Sequence, residues 1–307
     1  MDATAAVVTK EAFETKVVNT LKEYLPETKM EIRQITKQND RVLDELIISS
    51  ENTDIAPTIY LDSYYDAFMA GGTSFEEVVE HICRLYEDNK TAVTFNQDAF
   101  LDWNRAKERI VCRIVNKKAN ENFLQDVPHV DFLDLSIVFS YLITIEDAGQ
   151  GNIVIHQCHA DEWGVTADDL YEAAKKSAPA LLPATIKGMF DTLGELLGGS
   201  SDVAEMQADG VPDMTVLSNA TKTFGAAAII YDGVQEALAK RVGGSYYVLP
   251  SSVHELLILP ATDERIDKNL DVMVKEVNAN EVPDGEVLSD HCYFYDAEAG
   301  ELTMGIR

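Results

Sequence analysis

The stretch Ser251-Ser252-Val253-His254-Glu255 brings two hydroxyls, an imidazole and a carboxylate together. Nucleophilic catalysis uses these groups, because a hydroxyl attacks, an imidazole removes its proton and a carboxylate orients the imidazole. No glycine-flanked nucleophile elbow surrounds either serine, and neighbouring strand residues point to opposite faces, which separates His254 from Glu255. The main interpretation is a turn capped by serine hydroxyls, and a hydrolase site near Ser251, Ser252 and His254 is the alternative.

Two other groups of residues suggest metal binding. His254-Glu255 begins a zincin-like pattern, but Ile258 stands where the second zinc-binding histidine is required. His156, Cys158 and His159 are three candidate ligands within a short stretch. A structural zinc site needs four ligands, a catalytic one needs three and a water, and no second cluster at the usual spacing follows. We therefore interpret these residues as strand and turn residues without a metal.

Cofactor and nucleic-acid binding find little support. Neither a GxGxxG turn nor a GxxxxGK[ST] loop occurs, so no nucleotide cofactor is predicted. The 53 Asp and Glu exceed the 25 Lys and Arg, for a net charge of −28. Such a surface repels nucleic-acid phosphates and anionic membranes, so direct contact with either is not expected. An acidic decoy that occupies the groove of a nucleic-acid-binding partner is an alternative, and it requires a continuous acidic stripe.

The sequence predicts a soluble, cytosolic protein. The polar first residues carry no secretory signal, and no run reaches the roughly 18 apolar residues of a membrane span. The four cysteines, Cys83, Cys112, Cys158 and Cys292, form no CxxC pair, as is typical of reduced thiols.

Periodicity predicts the elements that position these residues. Apolar residues repeat with helical spacing from Thr9 to Leu25, and Ser74 with Glu77 has the pattern of a capping box. Expected strands include 109–115 and 226–230, and 246–249 pairs with 255–259 as a hairpin. Hairpins interleaved with helices favour the α+β class, with mostly antiparallel sheets and helices packed on one face.

The length fits one large domain or two. We divide the chain into an N-terminal α+β region, residues 1–125, and a C-terminal α+β region, residues 126–307. The second region includes a glycine-rich segment at about 188–212, which we expect to be a flexible loop.

The pattern of several segments resembles a known family. These segments are Phe224 to Tyr231, Gly243-Gly244, Tyr247 to Glu255, Tyr60-Leu61 with Tyr64-Tyr65, Val130 to Leu135, and Leu181-Leu182-Pro183. They are similar to a family of uncharacterised bacterial proteins of about 300 residues, classed as a domain of unknown function and common in anaerobic gut Firmicutes. The resemblance implies a cytosolic protein and supplies no catalytic residues.

The absence of a complete catalytic motif favours a non-enzymatic protein. The leading hypothesis is an interaction or regulatory protein whose partner is another protein. Its oligomeric state is left open by the sequence.

Overall fold

The computed structural model describes residues 8–50, 58–89, 96–145, 149–191, 214–261 and 269–305. Contacts divide the chain into two compact units, residues 1–37, 41–97 and 143–151, and residues 38–40, 98–142 and 152–307. The boundary expected between residues 125 and 126 stays a prediction. The segment expected to be a loop at 188–212 lies outside the described residues from residue 192 onward.

The first unit packs helices against a small sheet. The sheet has the order β1-β2-β3, and both strand pairings are antiparallel. Its elements are α1 (Lys10–Tyr24), β1 (Lys29–Thr36), β2 (Val42–Ser49), β3 (Thr58–Tyr60), α2 (Leu61–Met69) and α3 (Phe75–Asn89).

Local sequence explains both long helices of this unit. The Thr9 hydroxyl accepts a hydrogen bond from the Ala12 N–H at the start of α1. The predicted capping box begins α3, since the Glu77 N–H donates to Ser74 Oγ and the Ser74 N–H donates to the Glu77 carboxylate. Both helices bury apolar residues spaced by four positions against Leu46 and Ile48 of β2.

Two sheets occur among the described residues of the second unit, although residues 143–145 and 149–151, at the ends of two of their strands, are grouped with the first unit. In the smaller one β6 pairs with β4, β5 and β7, and in the larger one the order is β13-β12-β10-β11-β9-β8. The strands are β4 (Ile110–Asn116), β5 (His129–Phe132), β6 (Leu135–Ile145), β7 (Gly149–Val154), β8 (Ala184–Gly188), β9 (Thr215–Asn219), β10 (Tyr246–Ser252), β11 (Glu255–Pro260), β12 (Tyr293–Asp296) and β13 (Glu301–Met304).

Helices flank these sheets. They are α4 (Gln97–Leu101), α5 (Trp103–Ala106), α6 (Gln157–Trp163), α7 (Ala167–Leu181), α8 (Val234–Val242) and α9 (Leu270–Glu281). Helix α7 contacts β4, where the Ser177 hydroxyl donates to the Ile110 carbonyl. Helix α9 packs on the β10 face that includes Tyr247, whereas the Tyr246 hydroxyl donates to Gln235 of α8. The expected packing of helices on one face is found at the three-stranded sheet. The six-stranded sheet has a helix on each face.

The α+β class with mostly antiparallel sheets is confirmed. The strand expected at 226–230 is wrong, because Gly225–Ile230 forms a 3-10 helix. Short apolar runs do not distinguish a strand from a buried helical turn, and this run is buried on all sides. No helix in the described part of the chain is long and apolar enough to cross a bilayer.

Candidate functional site around Arg113

The stretch predicted as a hydrolase site lies at the turn between β10 and β11. Ser252 ends β10 opposite Glu255, the first residue of β11. The His254 N–H donates to Ser252 Oγ over 3.1 Å, so this hydroxyl caps the turn. Ser251 and Glu255 are half-buried, and no hydrogen bond joins either side chain to His254.

The His254 imidazole uses both of its nitrogens elsewhere. Nδ1 accepts a hydrogen bond from the Phe224 N–H at 3.2 Å, and Nε2 lies 3.8 Å from Glu286 Oε1. A neutral imidazole that accepts at Nδ1 carries its proton on Nε2, so that N–H faces Glu286. Neither nitrogen is left with a lone pair for a serine hydroxyl. The hydrolase alternative stays a prediction, and this geometry does not favour it.

The same turn positions Phe224. The Phe224 and His254 rings are stacked with centroids 5.7 Å apart, and Phe224 has a left-handed backbone with φ +53°. The next residue must be glycine, because a Cβ on Gly225 would lie 2.3 Å from Ser218 Oγ and 2.5 Å from the His254 carbonyl oxygen. A left-handed conformation costs a non-glycine residue roughly 1–2 kcal/mol. The contacts of His254 therefore hold an unfavourable backbone that places the Phe224 ring.

The Phe224 ring contacts Arg113, a charged residue in the middle of β4. Both faces of this strand are buried, and Arg113 is only 8% exposed. Its guanidinium carbon lies 4.9 Å from the Phe224 centroid and 5.7 Å from the Phe123 centroid. Both distances are within the range of cation–π attraction.

Arg113 has no anionic partner in the described part of the chain. Its Nε is buried without a hydrogen-bond partner, and none of the ion pairs among those residues includes it. Burial lowers the pKa of the guanidinium to about 10, so the group remains positive at neutral pH. Burying an ion costs several kcal/mol, whereas cation–π contacts return only about 0.5–2 kcal/mol each. Arg113 is therefore a buried cation whose charge is incompletely compensated.

Two buried hydroxyls share the sheet face of Arg113. In the register of β4 with β6, Arg113 is opposite Val138, and Ser136 and Ser140 lie two positions to either side of Val138. Residues at these diagonal positions are about 7–8 Å apart, which a long side chain can span. Ser136 and Ser140 are almost fully buried, and neither Oγ has a hydrogen-bond partner. Three orphaned polar groups, a guanidinium and two hydroxyls, thus lie on one sheet face.

An acidic residue on this face pairs elsewhere. Asp131 of β5 is opposite Ser136, and its carboxylate accepts from Lys117 Nζ at 2.7 Å. Both members of that pair are exposed, where water screens them and the pairing contributes little. Asp131 therefore does not compensate the positive charge of Arg113.

The three residues considered as metal ligands are expected from the sequence in a strand and turn, and that placement is wrong, because His156 caps the start of α6 and Cys158 and His159 lie within it. His156 Nδ1 is 2.9 Å from Asp126 Oδ2. The backbone N–H of His156 donates a hydrogen bond to His159 Nδ1. Burial, followed by the charge of His156, lowers the pKa of His159. Cys158 is exposed. Among the described residues no three or more His, Cys, Asp or Glu side chains are grouped to hold a metal ion.

From the sequence, residues 251–255 are identified as a possible catalytic site and Arg113 is not. A signal was present, since Arg113 stands in the run Ile110–Asn116 with apolar residues on both sides. A charge inside a strand that is apolar on both faces must be buried, and buried charges need partners. The sequence contains no signal that the hydroxyls of Ser136 and Ser140 lack hydrogen-bond partners, because their surroundings depend on the register of β4 with β6.

Comparison with protein families gives a match over nearly the whole chain, residues 10–297. The chain belongs to DUF5688, a family of unknown function. Membership in an uncharacterised domain family, which the sequence resemblance implied, is thereby confirmed. Neither a curated protein nor a solved structure matched this DUF5688 chain.

Proposed function

We propose that this protein acts by binding rather than by catalysis, as an interaction or regulatory protein, and that Arg113 is the centre of its binding site for an anionic group. The observation that supports the proposal is the buried guanidinium without an acidic partner in a chain that contains 53 Asp and Glu. Binding an anion would supply the missing compensation, because charge-assisted hydrogen bonds to a guanidinium are about twice as strong as neutral ones.

The surroundings of Arg113 suit a binding role. Arg113 keeps 8% of its surface accessible although its Nε is enclosed, so an anion would reach the guanidinium through its terminal nitrogens. The Phe224 ring is held in place by His254 and by the close packing of Gly225. A guanidinium held against fixed aromatic rings loses little rotational freedom when a ligand binds, and such preorganisation favours affinity.

The cytosolic location and the bacterial source implied by the sequence resemblance are part of this proposal. So is the expectation that the biological partner is a protein, which would present the anionic group on its surface. The acidic-decoy alternative stays a prediction, because it requires a continuous acidic stripe.

The test is thermal unfolding of the full chain in acetate, benzoate, phosphate and sulfate at constant ionic strength. A ligand at ten times its Kd stabilises a protein by about 1.4 kcal/mol, which corresponds to about 2 °C in Tm for a chain of 307 residues. We expect at least one anion to raise the Tm of the wild type by this amount and to have no effect on Arg113→Met.

Arg109→Met is the matched control. Arg109 also lies near an aromatic ring, with its guanidinium carbon 5.9 Å from the Tyr141 centroid, but its Nε donates to the Leu142 carbonyl at 2.7 Å. This variant should respond to the anion as the wild type does. An anion response that Arg113→Met retains, or no response to any of the four salts, would contradict the proposal.

A further inference from the structure

The terminal nitrogens of Arg113 restrict what it can bind. Its Nε has no acceptor but is enclosed, so a ligand would reach the guanidinium at the two terminal nitrogens. The Phe123 and Phe224 rings contact the guanidinium without offering a carbonyl or carboxylate oxygen. The pair of terminal nitrogens matches two oxygens on one atom, as in a carboxylate or a phosphate.

The charge of the site distinguishes these two anions. Arg113 provides one positive charge, and the other polar groups on its sheet face that lack partners are the neutral hydroxyls of Ser136 and Ser140. A carboxylate would give a neutral bidentate pair. A phosphate dianion would leave one negative charge uncompensated in a buried site, and burying an unpaired charge is costly.

We propose that Arg113 binds an organic monocarboxylate through its terminal nitrogens. This inference rests on the proposed anion-binding function and names its ligand class. The phenyl rings of Phe123 and Phe224 make the surroundings of the guanidinium apolar, which favours a carboxylate attached to an apolar body over a small hydrated anion.

Titration calorimetry of the full chain with benzoate and with inorganic phosphate at pH 8 tests the ligand class. We expect benzoate to bind at least tenfold more tightly than phosphate, and Arg113→Met to weaken benzoate binding tenfold or more. Arg113→Lys, which keeps a positive charge but lacks the planar fork, should also weaken it. Arg109→Met should bind benzoate as the wild type does.

A second pair of probes distinguishes the sources of the carboxylate. An acetylated tripeptide with a free carboxyl terminus is compared with the same peptide amidated. Binding of the free-acid peptide alone, at least as tight as that of benzoate, assigns the site to a peptide terminus. Tighter binding of benzoate assigns it to a free organic acid, and either result supports the monocarboxylate.

The outcomes separate the two proposals. Phosphate binding that equals or exceeds benzoate binding, and that Arg113→Met abolishes, would overturn the monocarboxylate and leave the anion site intact. Anion binding that is unchanged in both Arg113 variants, or no binding by any probe, would overturn the inference together with the proposed function.

Discussion

Each of the two units holds a cation that is at least partly removed from water, and the two cations differ in whether acidic residues pair with them. In the first unit, Lys10 Nζ forms ion pairs with Asp44 and Asp62 and lies 3.8 Å from Glu14 Oε1. In the second unit, Arg113 is more deeply buried and has no acidic partner among the described residues. In a chain with 53 acidic residues, pairing of a buried cation is the expected arrangement. The exception at Arg113 therefore calls for a functional explanation.

The pKa shifts follow from this difference. Burial acts to lower the pKa of Lys10, but hydrogen bonds and attraction from Asp44 and Asp62 outweigh it and raise the pKa above its usual 10.5. For Arg113 burial is the sole cause, and it lowers the pKa to about 10. Folding thus strengthens proton binding at Lys10 and weakens it at Arg113.

The largest effect is expected from Lys10→Met. This change leaves Asp44, Asp62 and Glu14 close together without a cation. Breaking a buried ion pair costs 3–5 kcal/mol, and we expect about 2–3 kcal/mol here because 34% of the Lys10 side chain is exposed. Urea denaturation measures the free energy of unfolding.

Lys22→Met in the same helix is the control, since Lys22 is exposed and forms no ion pair in the described part of the chain. It should change the free energy of unfolding by less than about 0.5 kcal/mol. Equal effects of the two substitutions would show that the acidic cluster does not depend on Lys10.

A second effect is the pH dependence of the acidic cluster. Glu14 is 9% exposed, and burial, followed by the charge of Asp44, raises its pKa from 4.5 to about 7. The folded state therefore binds more protons than the unfolded state between these pH values, so the free energy of unfolding falls as pH rises through this window. The pKa of Asp44 is lowered, first by its hydrogen bond with Lys10, and that of Lys10 is raised, so neither group titrates in this range.

Glu14→Gln removes this titration. The variant and the wild type should have similar stability at pH 5, and the variant should be more stable by about 2 kcal/mol at pH 8, since one pKa unit corresponds to 1.36 kcal/mol. Urea denaturation at the two pH values measures the difference. A stability difference that is independent of pH would contradict the raised pKa of Glu14.

The smallest effects are expected at the orphaned hydroxyls near Arg113. Ser136→Ala and Ser140→Ala each remove a buried oxygen without a hydrogen-bond partner, so each should leave the free energy of unfolding unchanged or raise it by up to about 1 kcal/mol. Ser177→Ala is the contrasting variant, because the Ser177 hydroxyl donates to the Ile110 and Ala173 carbonyls. It should lower the free energy of unfolding by about 1 kcal/mol. If Ser136→Ala and Ser140→Ala destabilise the protein as much as Ser177→Ala, the two hydroxyls have hydrogen-bond partners. They would then no longer count among the unpaired polar groups around Arg113.

The sequence predicts the parts of the fold that local rules determine. The helical repeat from Thr9 to Leu25 corresponds to α1, and the capping box of Ser74 and Glu77 begins α3. The strand expected at 109–115 corresponds to β4. In each case the signal and the structure it specifies lie within one short segment.

The candidate site depends on contacts between distant segments. Arg113 meets Phe224 because Gly225 packs closely on Ser218 and on the His254 carbonyl. Neither the left-handed conformation of Phe224 nor this packing has a pattern in the sequence. The polar residues of the β10–β11 turn do mark a place of interest, but His254 contributes there by holding Phe224, and no serine is bound to its ring.

The decisive measurement is the free energy of unfolding of the wild type, Arg113→Met and Arg109→Met by urea denaturation without added anion. Replacing an uncompensated buried ion with an apolar side chain is often stabilising, so Arg113→Met should be more stable than the wild type by about 1 kcal/mol or more. Arg109→Met should be less stable by about 1–3 kcal/mol, because it leaves the Leu142 carbonyl without its donor. Destabilisation by both substitutions would mean that Arg113 is a structural residue with compensated charge, and the binding site would have to be sought elsewhere.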